Sequence, residues 1–337
     1  MKKLYFILVI VLFILGLVFL STYSKFGQEG NPIKIGINTW TGFDPFILAE
    51  KVELFKQNNV AVEVKRFASA TSELEAIKNG EIQGAGFTLD EAFSLISSGF
   101  KGKIVLVIDY SMGGDMIIGQ QAITHITQLE GKTIGYEGSV VGEFLLGRAL
   151  RAHYLKREHV GLVNVQANNW LAAFKNKEID ALVCFNPVAS TLLDEHQANL
   201  LFSSADMPFE IIDVLLFSES FYNDNKGAIA KVIKTWFDAL NTIDSNINKA
   251  ADIIAAEKQI SAANYKSGLN YLVHPKYSVN KAIMDPKSDK NIYKYAQVIV
   301  NFMLAEGLLS KRIDTSNTFD NKTLLSIEPN TVNSKER

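Results

Sequence analysis

The sequence predicts an α/β protein of two similar lobes, joined by two crossover segments and enclosing a ligand cleft. Three observations carry this expectation. First, the order strand, helix, strand, helix, strand, helix occurs twice. Ile35-Gly36 is echoed by Ile134-Gly135, and Asn79-Gly80-Glu81-Ile82 by Asn176-Lys177-Glu178-Ile179. Second, strand-like runs in both units end in short loops where a capping residue starts a helix. Third, the pattern breaks near 111–119 and near 203–214, as a chain crossing from one lobe to the other and back would break it. Two units built alike imply two layered α/β lobes, each with a mostly parallel sheet. The repeat is too long for a solenoid.

Length and composition agree. A chain of 337 residues suits about two domains, and 47% hydrophobic residues suffice for sizeable cores. The net charge of −2 leaves no nucleic-acid footprint. Cys184 is the one cysteine, so no intramolecular disulfide is available. The scattered histidines make no HExxH metal motif, and no cofactor is expected.

The N-terminus begins Met1-Lys2-Lys3 and continues with 17 apolar residues or glycine from Leu4 to Leu20. Residues 1–24 read as a signal peptide or an N-terminal membrane anchor, with the remainder exported. No cysteine lies near this segment, which excludes a lipid-modified cysteine here.

Ile33 to Ile37 alternates as a strand, and Asn38 to Phe43 is a loop. Asp44-Pro45 pairs an N-cap residue with proline at the first helical position. Val60 to Val64 alternates again. A helix around Glu73 to Lys78 ends at Asn79-Gly80, a C-cap signal. Ile82 to Phe87 leads into the stretch that organises the chain. There Thr88 and Glu91 have capping-box spacing, and Leu89, Phe93 and Ile96 form a helical stripe. Ile104 to Ile108 is wholly apolar, as a doubly covered central strand should be.

Ser111-Met-Gly113-Gly114-Asp115 breaks the pattern before Met116 to Ile118 resumes as strand. Gly131 to Ser139 repeats strand, glycine, loop and hydroxyl N-cap. Val160 to Val165 is a strand, a helix covers Leu171 to Lys177, and Ala181 to Phe185 is a buried strand. Asn186-Pro187 repeats the cap-plus-proline device. Ile211 to Phe217 is another buried strand. Ile229, Val232, Ile233, Trp236 and Leu240 then form a core-facing helical stripe, as do Ile292, Tyr295, Ala296, Ile299 and Met303. These readings place lobe one at 33–112 plus 213–320, lobe two at 117–207 and a polar, frayed tail at 321–337.

Four helix starts face the expected cleft: Asp44-Pro45, Thr88, Ser139 and Asn186-Pro187. Each offers free N–H groups and a capping side chain. Trp40, Phe43 and Tyr136 would add flat apolar area. Helix N-termini favour anions. Yet the loops at 38–46, 86–93, 109–120, 135–143, 184–190 and 205–215 contain no Lys or Arg, and they contain many acids. The bidentate arginine that suits a sulfonate or carboxylate is missing. A neutral or cationic ligand is expected, an amine or nitrogen heterocycle.

Several motifs resemble one known family. They are Ile35-Gly-x-x-x-Trp40-x-Gly42-x-x-Pro45, Gly86-Phe-Thr-Leu-Asp-Glu91, Val107-Ile-Asp109-Tyr-Ser111-x-Gly113-x-Asp115, Gly131-Lys-x-Ile-Gly135 and Ile211-Ile-Asp213-Val. Together they look like the nitrate/sulfonate/taurine-type periplasmic substrate-binding proteins of ABC importers, whose domain also occurs in thiamine-pyrimidine synthases. The resemblance runs from about Ile33 to Leu309. It implies a type II periplasmic-binding-protein-like fold that closes on a small molecule and docks on a permease. By match to the family pattern, Trp40, Asp44, Thr88, Asp90, Ser111, Asp115, Ser139, Asn186 and Asp213 would line the pocket. Relatives often carry Glu-Pro-Trp where this chain has Asn186-Pro187-Val188. The cysteine-rich synthase motif is absent.

Three functions compete. A binding protein for import, partnered by an ABC permease and its ATPase, needs no catalytic residues, and none are evident. A membrane-anchored sensor would pass occupancy to a signalling partner if the N-terminal segment is kept. A pyrimidine synthase would need a cofactor lysine or a nucleophile–base pair in the cleft, and the candidate loops offer neither.

Overall fold

A computed structural model of the chain describes residues 27, 28 and 30–327. The predicted signal or anchor segment at 1–24 lies outside the described residues. Among the described residues no helix is long and apolar enough to cross a membrane.

Among the described residues eleven strands form two sheets. The first contains β1 (Ile33–Ile37), β2 (Val62–Arg66), β3 (Gly84–Thr88), β4 (Gly102–Ser111), β10 (Ile212–Ser218) and β11 (Leu272–Val273). Its order is β11-β4-β10-β3-β1-β2. The second contains β5 (Asp115–Gly119), β6 (Thr133–Tyr136), β7 (Gly161–Asn164), β8 (Ala181–Phe185) and β9 (Asn199–Ser203), in the order β7-β6-β8-β5-β9. The helices that position the cleft are α1 (Asp44–Lys51), α2 (Ala70–Lys78), α3 (Leu89–Ser97), α4 (Val140–Ala152), α5 (Val188–Glu195), α6 (Lys226–Ser245), α7 (Ile247–Lys258) and α8 (Ile292–Ala305).

The sheets are mixed, which corrects the expectation of mostly parallel ones. β1 pairs in parallel with β2 and β3, but β10 runs antiparallel to β3 and β4. In the second sheet β6 pairs in parallel with β7 and β8, while β5 runs antiparallel to β8 and β9. The reason is topological. β10 and β5 each enter their sheet directly from a crossing segment, not through a helical crossover, so nothing forces them parallel. β9 and β11, absent from the sequence reading, add an edge strand to each sheet.

Burial follows strand periodicity. On β5, Ile117 packs into the main core, while Met116 and Ile118 join Trp170, Phe174, Leu182 and Cys184 on the opposite face. Ile104 to Ile108 on β4 are all buried, as their unbroken apolar run requires. The main core continues from the first sheet through α3 and α4 to one face of the second. The stripe of Ile229, Val232, Ile233, Trp236 and Leu240 on α6 is buried in that core.

Two local expectations are corrected. Asp44 is the first residue of α1, not its cap; Phe43 precedes it without a side-chain cap, and Pro45 sits in the first turn. The frayed tail does not begin at Asn321. Residues Lys322–Leu325 form a short helix, Leu324 is fully buried, and Thr323 Oγ1 lies 2.9 Å from the Tyr222 hydroxyl. Burial of one leucine and one satisfied hydroxyl outweighs the polar composition of that stretch.

Candidate functional site

A cleft opens where the ends of the two sheets meet. From the first sheet it is lined by Trp40 and Phe43 after β1, Thr88 and Glu91 at the β3–α3 junction, and Asp213 on β10. From the second it is lined by Asp115 at the start of β5, Glu137 and Ser139 before α4, and Phe185 at the end of β8. The cavity they enclose is small, about 40 Å³.

Five of the nine residues named from the sequence are therefore brought together: Trp40, Thr88, Asp115, Ser139 and Asp213. The other four lie outside the lining. Asp44 is buried and held by Lys258, whose Nζ donates to both carboxylate oxygens at 2.9 Å. Asp90 is fully buried beneath the lining. Ser111 Oγ lies 2.7 Å from Ser204 Oγ, which also accepts the Gly113 N–H, so this pair ties the two crossing segments together. Asn186 Oδ1 accepts from the backbone N–H and hydroxyl of Ser190 in the first turn of α5.

The β3–α3 junction carries its capping box, with the Thr88 side chain at the Glu91 backbone and the Glu91 side chain at the Thr88 backbone. Glu91 Oε2 accepts the Thr88 N–H at 3.1 Å. Glu91 Oε1 is buried in the lining without a hydrogen bond. Ser139 also caps its helix, accepting from Gly142 N–H at 3.2 Å.

Trp40 is held from several sides. Its backbone N–H donates to Asn38 Oδ1 at 2.9 Å, and Asn38 Nδ2 donates to Glu73 Oε2 at 3.2 Å. Its indole N–H donates to both oxygens of Asp109, at 3.3 and 3.2 Å. Gly42 permits this approach: a Cβ there would sit 1.8 Å from Asp109 Oδ2 and 2.4 Å from the indole nitrogen. Burial pushes His274 down to about 4, so its neutral ring donates Nε2–H to the Gly42 carbonyl at 2.8 Å. Across the cleft the Trp40 ring meets Phe185 edge to face, and Trp170 braces Phe185 from behind.

The site is acidic. Asp213 stands opposite Thr88 on β3 and opposite Asp109 on β4, beside an irregularity in the β4–β10 ladder. Its carboxyl is in hydrogen-bonding contact with that of Asp109. Burial, then the Asp109 and Asp115 charges, hold Asp213 well above the usual carboxylate range. Asp109 is pushed up to about 7 by burial, against the opposing hydrogen bonds from Asp213 and Trp40. The pair shares a proton, and the Trp40 indole N–H favours the charge on Asp109. Burial also raises Asp115 to about 6 and Glu137 to about 7, and it raises Asp90 and Glu91, which further repel each other. Among the described residues no Lys or Arg lines the cleft.

Sequence reasoning missed Asn38, Glu73, Phe185 and Lys258, and it read Glu137 as one of the loop acids without placing it in the lining. Phe185 was within reach, since it ends a buried strand as Thr88 does. Glu73 and Lys258 carried no local signal. Among the described residues no cluster of three His, Cys, Asp or Glu is placed to hold a metal ion.

The model of the NMT1-like family matches residues 27–257. A Brucella abortus protein provisionally named a binding protein is 23% identical over 258 residues, covering 75% of this chain and 79% of that one. Two solved structures are similar. One is the alkanesulfonate-binding protein SsuA of Xanthomonas axonopodis pv. citri bound to MOPS, with a TM-score of 0.73 at 19% identity over 86% of this chain and 98% of that one. The other is the periplasmic nitrate-binding protein NrtA of Synechocystis PCC 6803, with a TM-score of 0.69 at 12% identity over 87% and 84%. At such identities the likeness is one of fold: two α/β lobes in the periplasmic-binding-protein arrangement.

Proposed function

The chain belongs to the NMT1-like family, and on that premise we propose that it is an extracytoplasmic solute-binding protein. It captures a small molecule between its lobes and delivers it to an ABC permease and ATPase. The proposed lobes are 33–112 plus 213–320 and 117–207, hinged at the segments that Ser111 and Ser204 tie together. Residues 1–24 are proposed to export the chain or to anchor it.

The proposed ligand is neutral or cationic, an amine or nitrogen heterocycle. One observation carries this. The lining presents Glu91, Asp115, Glu137 and Asp213 from both sheets, and no Lys or Arg among the described residues opposes them. The structural neighbours are named for sulfonate and nitrate binding. An anion entering this cleft would meet carboxyls without a guanidinium or ammonium to receive it. Trp40, Phe43 and Phe185 supply ring faces and edges for a flat ligand body.

A thermal-shift screen tests the reading. A ligand at about 100 times its Kd adds about 2.7 kcal/mol of stability. Amines and nitrogen heterocycles should raise the melting temperature and alkylsulfonates should not; the reverse ranking would reject the ligand class.

A further inference from the structure

We propose that capture in this cleft is a proton–ligand exchange: a cationic nitrogen settles between Asp213 of the first sheet and Asp115 of the second, and a carboxyl proton leaves to solvent. The inference rests on the cationic reading of the ligand given above. In the exchange a protonated amine enters with all its N–H bonds intact. One carboxylic O–H bond breaks, its proton passes to water, and the resulting carboxylate accepts from the nitrogen. The net charge of the filled cleft equals that of the empty one.

The geometry requires something positive at this place. The Trp40 indole N–H holds Asp109 as an acceptor, so the proton of Asp213, which lines the cleft beside it, is shared with Asp109. Asp115 acts on Asp213 from the opposite sheet. Two ionised carboxylates facing across the approach of two lobes repel each other, and either a proton or a cationic ligand relieves that repulsion. One further group faces the cleft: Glu91 Oε1, on a residue 2% exposed, lies in the lining without a partner.

The elements packed against the cluster add mainly acid, with neutral His274 behind Gly42 a base in contact with that loop. Asp90 and Glu91 stand on α3, Glu73 on α2 behind Glu91, and Glu137 precedes α4. Burial raises the Cys184 thiol on β8, and the Asp115 charge raises it further. Lys258 and Arg66 act on Asp44, whose charge in turn acts on Asp109.

Benzylamine, a primary ammonium on a flat ring, is the probe, and ethanesulfonate is the anionic control. In a pH-stat near pH 6.5, saturating the full chain with benzylammonium chloride should demand between about 0.5 and 1 equivalent of hydroxide per ligand bound. Affinity should rise with pH between about 5.5 and 7, by about tenfold per unit for each proton exchanged. Asp213→Asn should lower the hydroxide demand per ligand bound. Benzylamine binding with no hydroxide demand and flat pH dependence would overturn the exchange while leaving the ligand class standing. Ethanesulfonate binding without benzylamine binding would overturn both. A ligand-free arm decides the matter if neither probe binds: carboxyl carbon NMR should find Asp115 and Asp213 titrating above about pH 5.5. Titration of both below about pH 5 would overturn the proposal.

Discussion

The Trp40 indole and the Phe185 ring meet edge to face with centroids 5.7 Å apart and planes at 89°, one from each side of the cleft. Trp40 follows β1 of the first sheet and Phe185 ends β8 of the second, so this contact spans the two lobes. Such pairs contribute about 0.5–1.5 kcal/mol beyond their area. Phe185→Leu should therefore weaken ligand binding by roughly 2- to 12-fold with little change in global stability. Calorimetric titration of a ligand found by screening checks this; unchanged affinity would mean the contact is incidental to closure.

Asp44 and Lys258 form a buried pair, and removing one partner leaves the other uncompensated. Lys258→Met should cost about 3 kcal/mol at pH 8, at the lower end expected for a broken buried pair. The loss should shrink near pH 5. Burial, against the opposing Lys258 charge and hydrogen bond, already holds Asp44 at about 6, so it takes up a proton readily once the lysine is gone. Urea unfolding at the two pH values measures this, and Asp44→Asn in the same chain should recover much of the loss. Equal losses at both pH values would contradict it.

Stability should fall as pH rises through the window of the raised carboxyls. Asp115 and Asp109 lie at about 6 and 7 in the folded chain, against about 4 when unfolded. Between those limits the native state binds more protons than the unfolded state, so its advantage is complete at low pH and is lost on deprotonation. The melting temperature of the ligand-free protein should decline from about pH 5 to pH 8, and Asp213→Asn should flatten that slope. Stability rising over this range would contradict the burial argument.

Gly42→Ala should act through two residues at once, because the added Cβ would strike Asp109 and the Trp40 indole. Overpacking of this kind costs about 1–3 kcal/mol. Chemical denaturation reads the stability loss, and tryptophan emission reads the displaced indole. A variant with wild-type stability and spectrum would show that the loop yields freely.

Much of this architecture is legible in local pattern. The stripe Leu89, Phe93 and Ile96, with Thr88 and Glu91 before it, announces a strand handing over to a helix, and the cleft opens at that point. Ser139 announces its cap in the same way. What local pattern does not carry is partnership over distance. Lys258 meets Asp44 across 214 positions, and Trp40 meets Asp109 across 69. Asp44 before proline therefore reads as a cap, although a distant ammonium claims it. Strand direction is hidden for the same reason. Nothing in the apolar run of β10 says that it enters the first sheet from a crossing segment. β11 is two residues long and exists because β4 offers it an edge.

The most direct test of the cleft's charge preference is calorimetric titration of the purified protein with a matched pair, benzylamine and benzenesulfonate, at neutral pH and low salt. The ring is the same and only the sign of the charge differs. The account predicts saturable binding of the amine and none of the sulfonate. Saturable binding of the sulfonate alone would contradict it.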